Sequence, residues 1–203
     1  IAKTELQTLF YSPVAWLILI VFTFQASILF TGTFGMSVRS QALEYEVGNL
    51  TLFTFGGDYG LFTHIQQYLY LYIPLLTMGL LSRELSSGSI KLLYSSPVTN
   101  KEIVLGKYFA MLVYGLVLIG ILAIYVLYSA CTIKAFDFTV ALSGLLGLYL
   151  LICAYASIGL FMSSLTSYQV VSAMGTLAIL AALSLVRGMW QDIEFVRDIT
   201  YWL

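Results

Sequence analysis

Charged residues are scarce in this sequence, and their scarcity argues against a soluble protein. Only 9% of the 203 residues are charged and 60% are hydrophobic, whereas about a quarter of an average soluble domain is charged. The net charge is −1, so there is no basic field to meet the phosphates of a nucleic acid. The composition therefore predicts an integral membrane protein that has no nucleic-acid partner.

Residues for metal, disulfide and nucleotide chemistry are scarce as well. His64 is the single histidine, and the two cysteines, Cys131 and Cys153, fall in different apolar regions, which favours ordinary apolar packing for both. The one Gly-Lys pair, Gly106-Lys107, lacks the upstream glycine of a phosphate-binding loop. No paired acids lie inside an apolar run, as an ion-coupled carrier would need. We predict no catalytic residue and no metal site, and expect the energy for any transport to come from another chain or domain.

Long runs without charge predict five membrane spans, since about 20 apolar residues cross a bilayer. The predicted spans cover 13–34, 61–81, 102–133, 139–162 and 168–186. The last two divide one charge-free run at the polar cluster 163–167. Small residues in the fifth span predict close helix contacts, either within the subunit or between subunits. The fold class predicted is an all-α integral membrane protein, a polytopic helical bundle.

The segments outside these spans are predicted from their patterns. Residues 1–12 have apolar residues at three-four spacing and predict an interfacial helix. Residues 35–60 predict an outer loop, and the amphipathic residues 187–203 an outer interfacial or re-entrant segment. The chain starts at Ile1 and ends in patterned sequence, so we expect it to be part of a longer protein. Gln25, in the middle of the first span, bonds either to another helix or to its own backbone; the sequence leaves both open.

The polar interruption between spans two and three is the most informative stretch. Residues 83–107 read RELSSGSIKLLYSSPVTNKEIVLGK and contain six charges, a Ser/Gly turn and a short amphipathic piece. Thr99 and Glu102 have capping-box spacing, which predicts a helix start. We predict that this loop receives force from a soluble partner. Arg83 and Glu84 either contact that partner or pair locally.

Charge counts favour a cytoplasmic position for this loop. With the N-terminus in the cytoplasm, the inner segments hold five Lys or Arg against three acids, and the outer segments four against seven. Lys and Arg accumulate on the cytoplasmic side. Residues 83–107 contribute four of the five inner basic residues, so the loop itself is the better reason for this orientation.

The stretch SRELSSGSIKLLYSSPVTNKEIVLGKYFA resembles the loop of ABC-2 type ABC-transporter permeases. The opening KTEL…SP and the later IGLFMSSLTSYQVVSA are similar to the same family, in particular to its gliding-motility-like bacterial branch. The resemblance implies a permease in the bacterial inner membrane with six spans, of which five are visible. It also implies a homo- or heterodimer that exports a hydrophobic or amphipathic substrate, with ATP and magnesium bound by a separate cytoplasmic ATPase and no cofactor on this chain.

The same resemblance implies roles for particular residues. Residues 84–94 would form the coupling helix that docks on the ATPase, residues 1–12 the surface connecting helix, and spans one and five part of the dimer interface. The ATPase-coupling residues would be Arg83, Glu84, Gly88, Ile90, Leu92, Leu93 and Pro97, and Thr99 with Glu102 the helix cap. The alternative is a membrane anchor or scaffold that recruits a cytoplasmic protein through residues 83–107 without transport.

Overall fold

Helices account for all the regular structure that the computed structural model describes, which covers residues 2–43, 49–57, 60–88, 99–133 and 136–191. The all-α prediction is confirmed for these residues. In chain order they are α1 (Ala2–Tyr11), α2 (Pro13–Ala42), α3 (Leu50–Phe55), α4 (Leu61–Thr77), α5 (Ser82–Ser87), α6 (Asn100–Thr132), α7 (Phe138–Leu165) and α8 (Gln169–Gln191).

Three of these helices, α2, α6 and α7, are long and apolar enough to cross a membrane. Their 28 to 33 residues correspond to about 42–50 Å, more than the hydrocarbon thickness of about 30 Å. Helix α4 has 17 residues and α8 has 23. The described residues therefore hold three helices that meet this criterion, and the predicted count of five spans is not confirmed.

Helix α4 is shorter than the second predicted span, 61–81. Helix α4 stops at Thr77, and the chain turns over 78–81 before α5 begins. The backbone amides of Leu81 and Ser82 leave the helical pattern because the side chain of Ser163, on α7, accepts both of their hydrogen bonds. This contact between distant parts of the chain could not be seen in the local pattern.

Two other helices extend beyond the predicted spans. Helix α2 continues eight residues beyond the predicted end at 34, and its Ser37 hydroxyl hydrogen-bonds with Thr54 on α3 at 2.6 Å. The predicted outer loop 35–60 thus contains the last turns of α2 and all of α3. Helix α8 runs on to Gln191, five residues beyond the predicted end at 186. Residues 192–203 lie outside the described residues.

Buried aromatic and aliphatic side chains hold α2, α4, α6 and α7 together. Phe22, Ile65, Tyr114 and Leu118 are almost completely buried, and the Tyr114 hydroxyl donates to the backbone oxygen of Ala15 at 2.8 Å. Apolar side chains on the outer faces of α2, α6 and α7 are exposed, as expected where helices meet lipid. The bundle therefore has a packed interior and an apolar outer surface.

Polar side chains also link the helices. Gln25 on α2 accepts a hydrogen bond from the hydroxyl of Tyr72 on α4. Of the two possibilities that the sequence left open, the structure thus has the bond to another helix.

Polar contacts at the helix ends define two ends of the bundle. At one end Asn49 caps α3 and donates to Asp137 at 3.3 Å, while Asp137 caps α7 and donates its backbone N–H to Thr51 at 3.0 Å. At the other end lie α1, α5 and the start of α6. Segments that the charge count assigns to one side of the membrane thus lie at the same end.

Candidate functional site

The polar interruption starts at a tightly bonded turn. The hydroxyl of Ser163 accepts the backbone N–H groups of Leu81 and Ser82 at 3.0 and 3.1 Å. It donates to the backbone oxygen of Met78 at 3.2 Å, and Ser82 donates to the same oxygen. The C-terminal end of α7 therefore fixes where α5 begins. Ser163 belongs to the polar cluster at which the sequence divided spans four and five.

A buried lysine joins three helices beside this turn. Lys107 Nζ lies 2.9 Å from Glu5 Oε1 on α1 and 2.6 Å from Glu84 Oε1 on α5. The Lys107 side chain is only 2% exposed, and those of Glu5 and Glu84 are 22% and 19% exposed. We call these three residues the Lys107 ion triad. The triad connects the first helix of the chain, the start of the polar loop and the start of a candidate span.

The triad holds one positive charge between two negative ones. Glu84 Oε2 is buried and has no hydrogen-bond partner among the described residues. Within that part of the chain, Lys107 is the cation that compensates the charge of this carboxylate. A buried carboxylate without its cation is strongly destabilising. The arrangement therefore depends on the three side chains staying together, and a displacement of α5 would act on α1 and α6.

A cavity of about 150 Å³ lies next to the triad. All three triad residues line it, together with Arg83, Gly79 and parts of α1, α2 and α4. The Arg83 guanidinium lies over Gly79, where an added Cβ would come within 3.3 Å of a guanidinium nitrogen. Gly79 thus leaves room for the Arg83 head group at the wall of the cavity.

The described part of the loop ends at Gly88, which follows α5. Its φ of +71° places it in the left-handed region, where a glycine has no Cβ penalty. The next helix that the structure describes, α6, starts at a capping box. There Thr99 N–H donates to Glu102 Oε2 at 2.9 Å, and Glu102 N–H to Thr99 Oγ1 at 3.4 Å.

The structure places some of the predicted coupling residues and leaves out others. Glu84 pairs locally with Lys107, one of the two possibilities that the sequence left open. Arg83 is exposed and makes no ion pair within the described part of the chain. The remaining predicted positions, Ile90, Leu92, Leu93 and Pro97, lie outside the described residues. No group of side chains in the described ranges could hold a metal ion.

Sequence reasoning missed three residues of this site: Glu5, Lys107 and Ser163. The sequence did contain a hint for Glu5 and Lys107, because they carry opposite charges beside apolar runs and both segments were assigned to the cytoplasmic side. Their partnership was not visible, because 102 residues separate them. For Ser163 the sequence offered a polar break between helices and no indication of its bonds.

Comparison with known proteins decides the family. The family model described as ABC-2 family transporter protein matches residues 1–193. This chain belongs to the ABC-2 transporter family. No curated protein and no solved structure matches it.

Family membership makes this ABC-2 protein the membrane permease component of an ABC transporter. Such a component is a transport subunit and is not itself catalytic, and the family generally partners with an ATPase subunit. The narrower prediction of a gliding-motility-like branch is not confirmed.

Proposed function

We propose that this permease is the transmembrane subunit of an exporter in the bacterial inner membrane. It moves a hydrophobic or amphipathic substrate, and a separate cytoplasmic subunit binds ATP with magnesium and hydrolyses it. That ATPase docks on residues 83–107, and a second permease subunit, identical or homologous, completes the transport path. The family match and the absence of acid pairs from the apolar runs support an external energy source.

The observation that carries the proposal is the Lys107 ion triad. A partner that pulls on the loop acts first on α5, which holds Glu84. Lys107 joins Glu84 to α6, and Glu5 joins the same ammonium to α1. The pull therefore reaches one candidate span and the N-terminal helix together, as a docked ATPase would require.

The first experiment is purification of the full-length protein in detergent, with ATPase activity measured in the co-purified fraction. We expect an ATPase to co-purify and to be lost in Leu93→Asp, which leaves the Lys107 ion triad intact. Lys107→Met should keep the ATPase bound but abolish the stimulation of hydrolysis by substrate lipid or drug, because docking residues remain and the link to α6 is gone. Lys101→Met, at an exposed position on the same helix, is the matched control.

Two outcomes would contradict the proposal. A loop-dependent partner that hydrolyses no ATP would show that the protein is a membrane anchor. Absence of any loop-dependent partner would show that residues 83–107 do not recruit a soluble protein.

A further inference from the structure

A second cavity lies between α4 and α7, far from the Lys107 ion triad. Its volume is about 290 Å³. It is lined by Phe62, Thr63 and Gln66 of α4 and by Gly144, Gly147, Leu148 and Leu151 of α7. We call it the α4/α7 groove. Pockets for small ligands usually measure about 300–1,000 Å³, so the groove suits one slender chain better than a whole drug-sized molecule.

Two glycines one turn apart shape the groove. At Gly144 an added Cβ would collide with the ring of Phe62, so the ring packs directly on the helix backbone there. At Gly147 an added Cβ would meet nothing within 4 Å. The groove is therefore closed at Gly144 by Phe62 and open at Gly147, where the helix has no side chain.

The groove is lined mainly by apolar groups and has one side-chain amide, that of Gln66. None of the residues that line it is charged. Thr63 Oγ1 donates to the backbone oxygen of Gly57 at 2.6 Å, and no described residue hydrogen-bonds with the side chain of Gln66. An ion would meet no opposite charge here, and a sugar could use the Gln66 amide but would leave most of its hydroxyls unpaired, since a buried polar group without hydrogen bonds is costly.

The depth of the groove identifies its occupant. Its α7 residues lie six to thirteen positions from the start of that helix at Phe138, which is about 9–20 Å along a candidate span. With 28 residues, α7 is about 42 Å long and extends beyond a hydrocarbon core about 30 Å thick, so most of this stretch lies within the core. Because Gly147 is exposed at this depth, lipid tails can reach the groove from the membrane.

We propose that the α4/α7 groove holds one acyl chain of a membrane phospholipid, taken from the leaflet at the Asp137 end of the bundle. Phe62, Leu148 and Leu151 contact the chain, and the open surface at Gly147 gives it room. This site is independent of ATPase docking and goes beyond the proposed transport function.

The test is photolabelling of the full-length protein in nanodiscs of phosphatidylcholine doped with a phosphatidylcholine that carries a diazirine in mid-chain. Labelled peptides are mapped by mass spectrometry, without ATP or any partner. We expect labelling concentrated on residues 62–66 and 144–151. Gly147→Phe fills the groove, and losing contact with about two methylenes should reduce labelling there about ten-fold.

Gly120→Phe is the matched control, because Gly120 on α6 also has open space beside it and does not line the groove. It should leave the labelling of the groove unchanged. The series Gly147→Ala, Gly147→Leu and Gly147→Phe should reduce labelling progressively, so the test still works if the largest side chain prevents folding. Equal labelling across the series, or labelling spread evenly over the lipid-facing helices, would overturn the proposal.

Discussion

Removal of the Lys107 ammonium is the sharpest test of the ion triad. Lys107→Met keeps a long, flexible side chain in place but leaves the carboxylates of Glu5 and Glu84 facing each other. Removing one partner of a fully buried ion pair costs about 3–5 kcal/mol. Both glutamates retain about a fifth of their exposure, so water offsets part of that cost, and we expect a loss of about 2–3 kcal/mol.

The measurement is thermal unfolding of the full-length protein in detergent, followed by circular dichroism at one fixed pH. For a chain of this size each kcal/mol lowers the Tm by about 2–4 °C, so the midpoint should fall by about 4–12 °C. Lys101→Met is the control and should change the free energy of unfolding by less than about 0.5 kcal/mol.

A second set of variants distinguishes the loss of charge pairing from a simple loss of packing. Glu5→Gln and Glu84→Gln, added to Lys107→Met, remove the stranded charges and keep the shape of the site. We expect the triple variant to recover at least half of the lost stability, because apolar or neutral replacement of a whole buried ion cluster is often close to neutral. A single variant as stable as the wild type, or a triple variant without recovery, would refute the reasoning.

Two further predictions concern the contacts of α7. Ser163→Ala leaves two buried backbone amides without an acceptor and should lower the free energy of unfolding by about 2–4 kcal/mol. Ser164→Ala removes an exposed hydroxyl and should lower it by less than about 0.5 kcal/mol. Equal effects would show that the turn at 78–82 does not depend on the Ser163 hydroxyl. At Gly159 an added Cβ would lie 2.7 Å from the Cβ of Thr77, so Gly159→Ala should destabilise the protein by about 1–3 kcal/mol in the same unfolding assay. Gly120 has open space around it, so Gly120→Ala should be neutral or stabilising. A neutral Gly159→Ala would mean that α4 and α7 separate easily.

Helix ends set by local chemistry lie close to the positions that the sequence indicates. Thr99 and Glu102 are three residues apart, and the capping box that they form lies entirely within the first turn of α6. The division near 163–167 is similar, since α7 ends at Leu165 and α8 begins at Gln169. In both cases the groups that decide the boundary are neighbours in the chain.

Helix ends that involve distant contacts differ from the bounds of the predicted spans. The apolar pattern of the second span continues to Leu81, yet α4 ends at Thr77 because α7 supplies Ser163 as an acceptor beyond it. Helix α2 extends to Ala42, and its Ser37 bonds with Thr54 of α3. No local rule of hydropathy or propensity contains these bonds.

What the sequence determined by itself is the class of the protein and its main polar feature. A chain with 9% charged residues and long apolar runs has to satisfy its backbone hydrogen bonds inside helices in a membrane. Its charged residues have to pair with one another or lie where water or a partner meets them. What only the tertiary structure decided is which of those polar residues act together. Glu5, Glu84 and Lys107 come from three separate segments, and the cost of burying charge makes them partners only once the helices have packed.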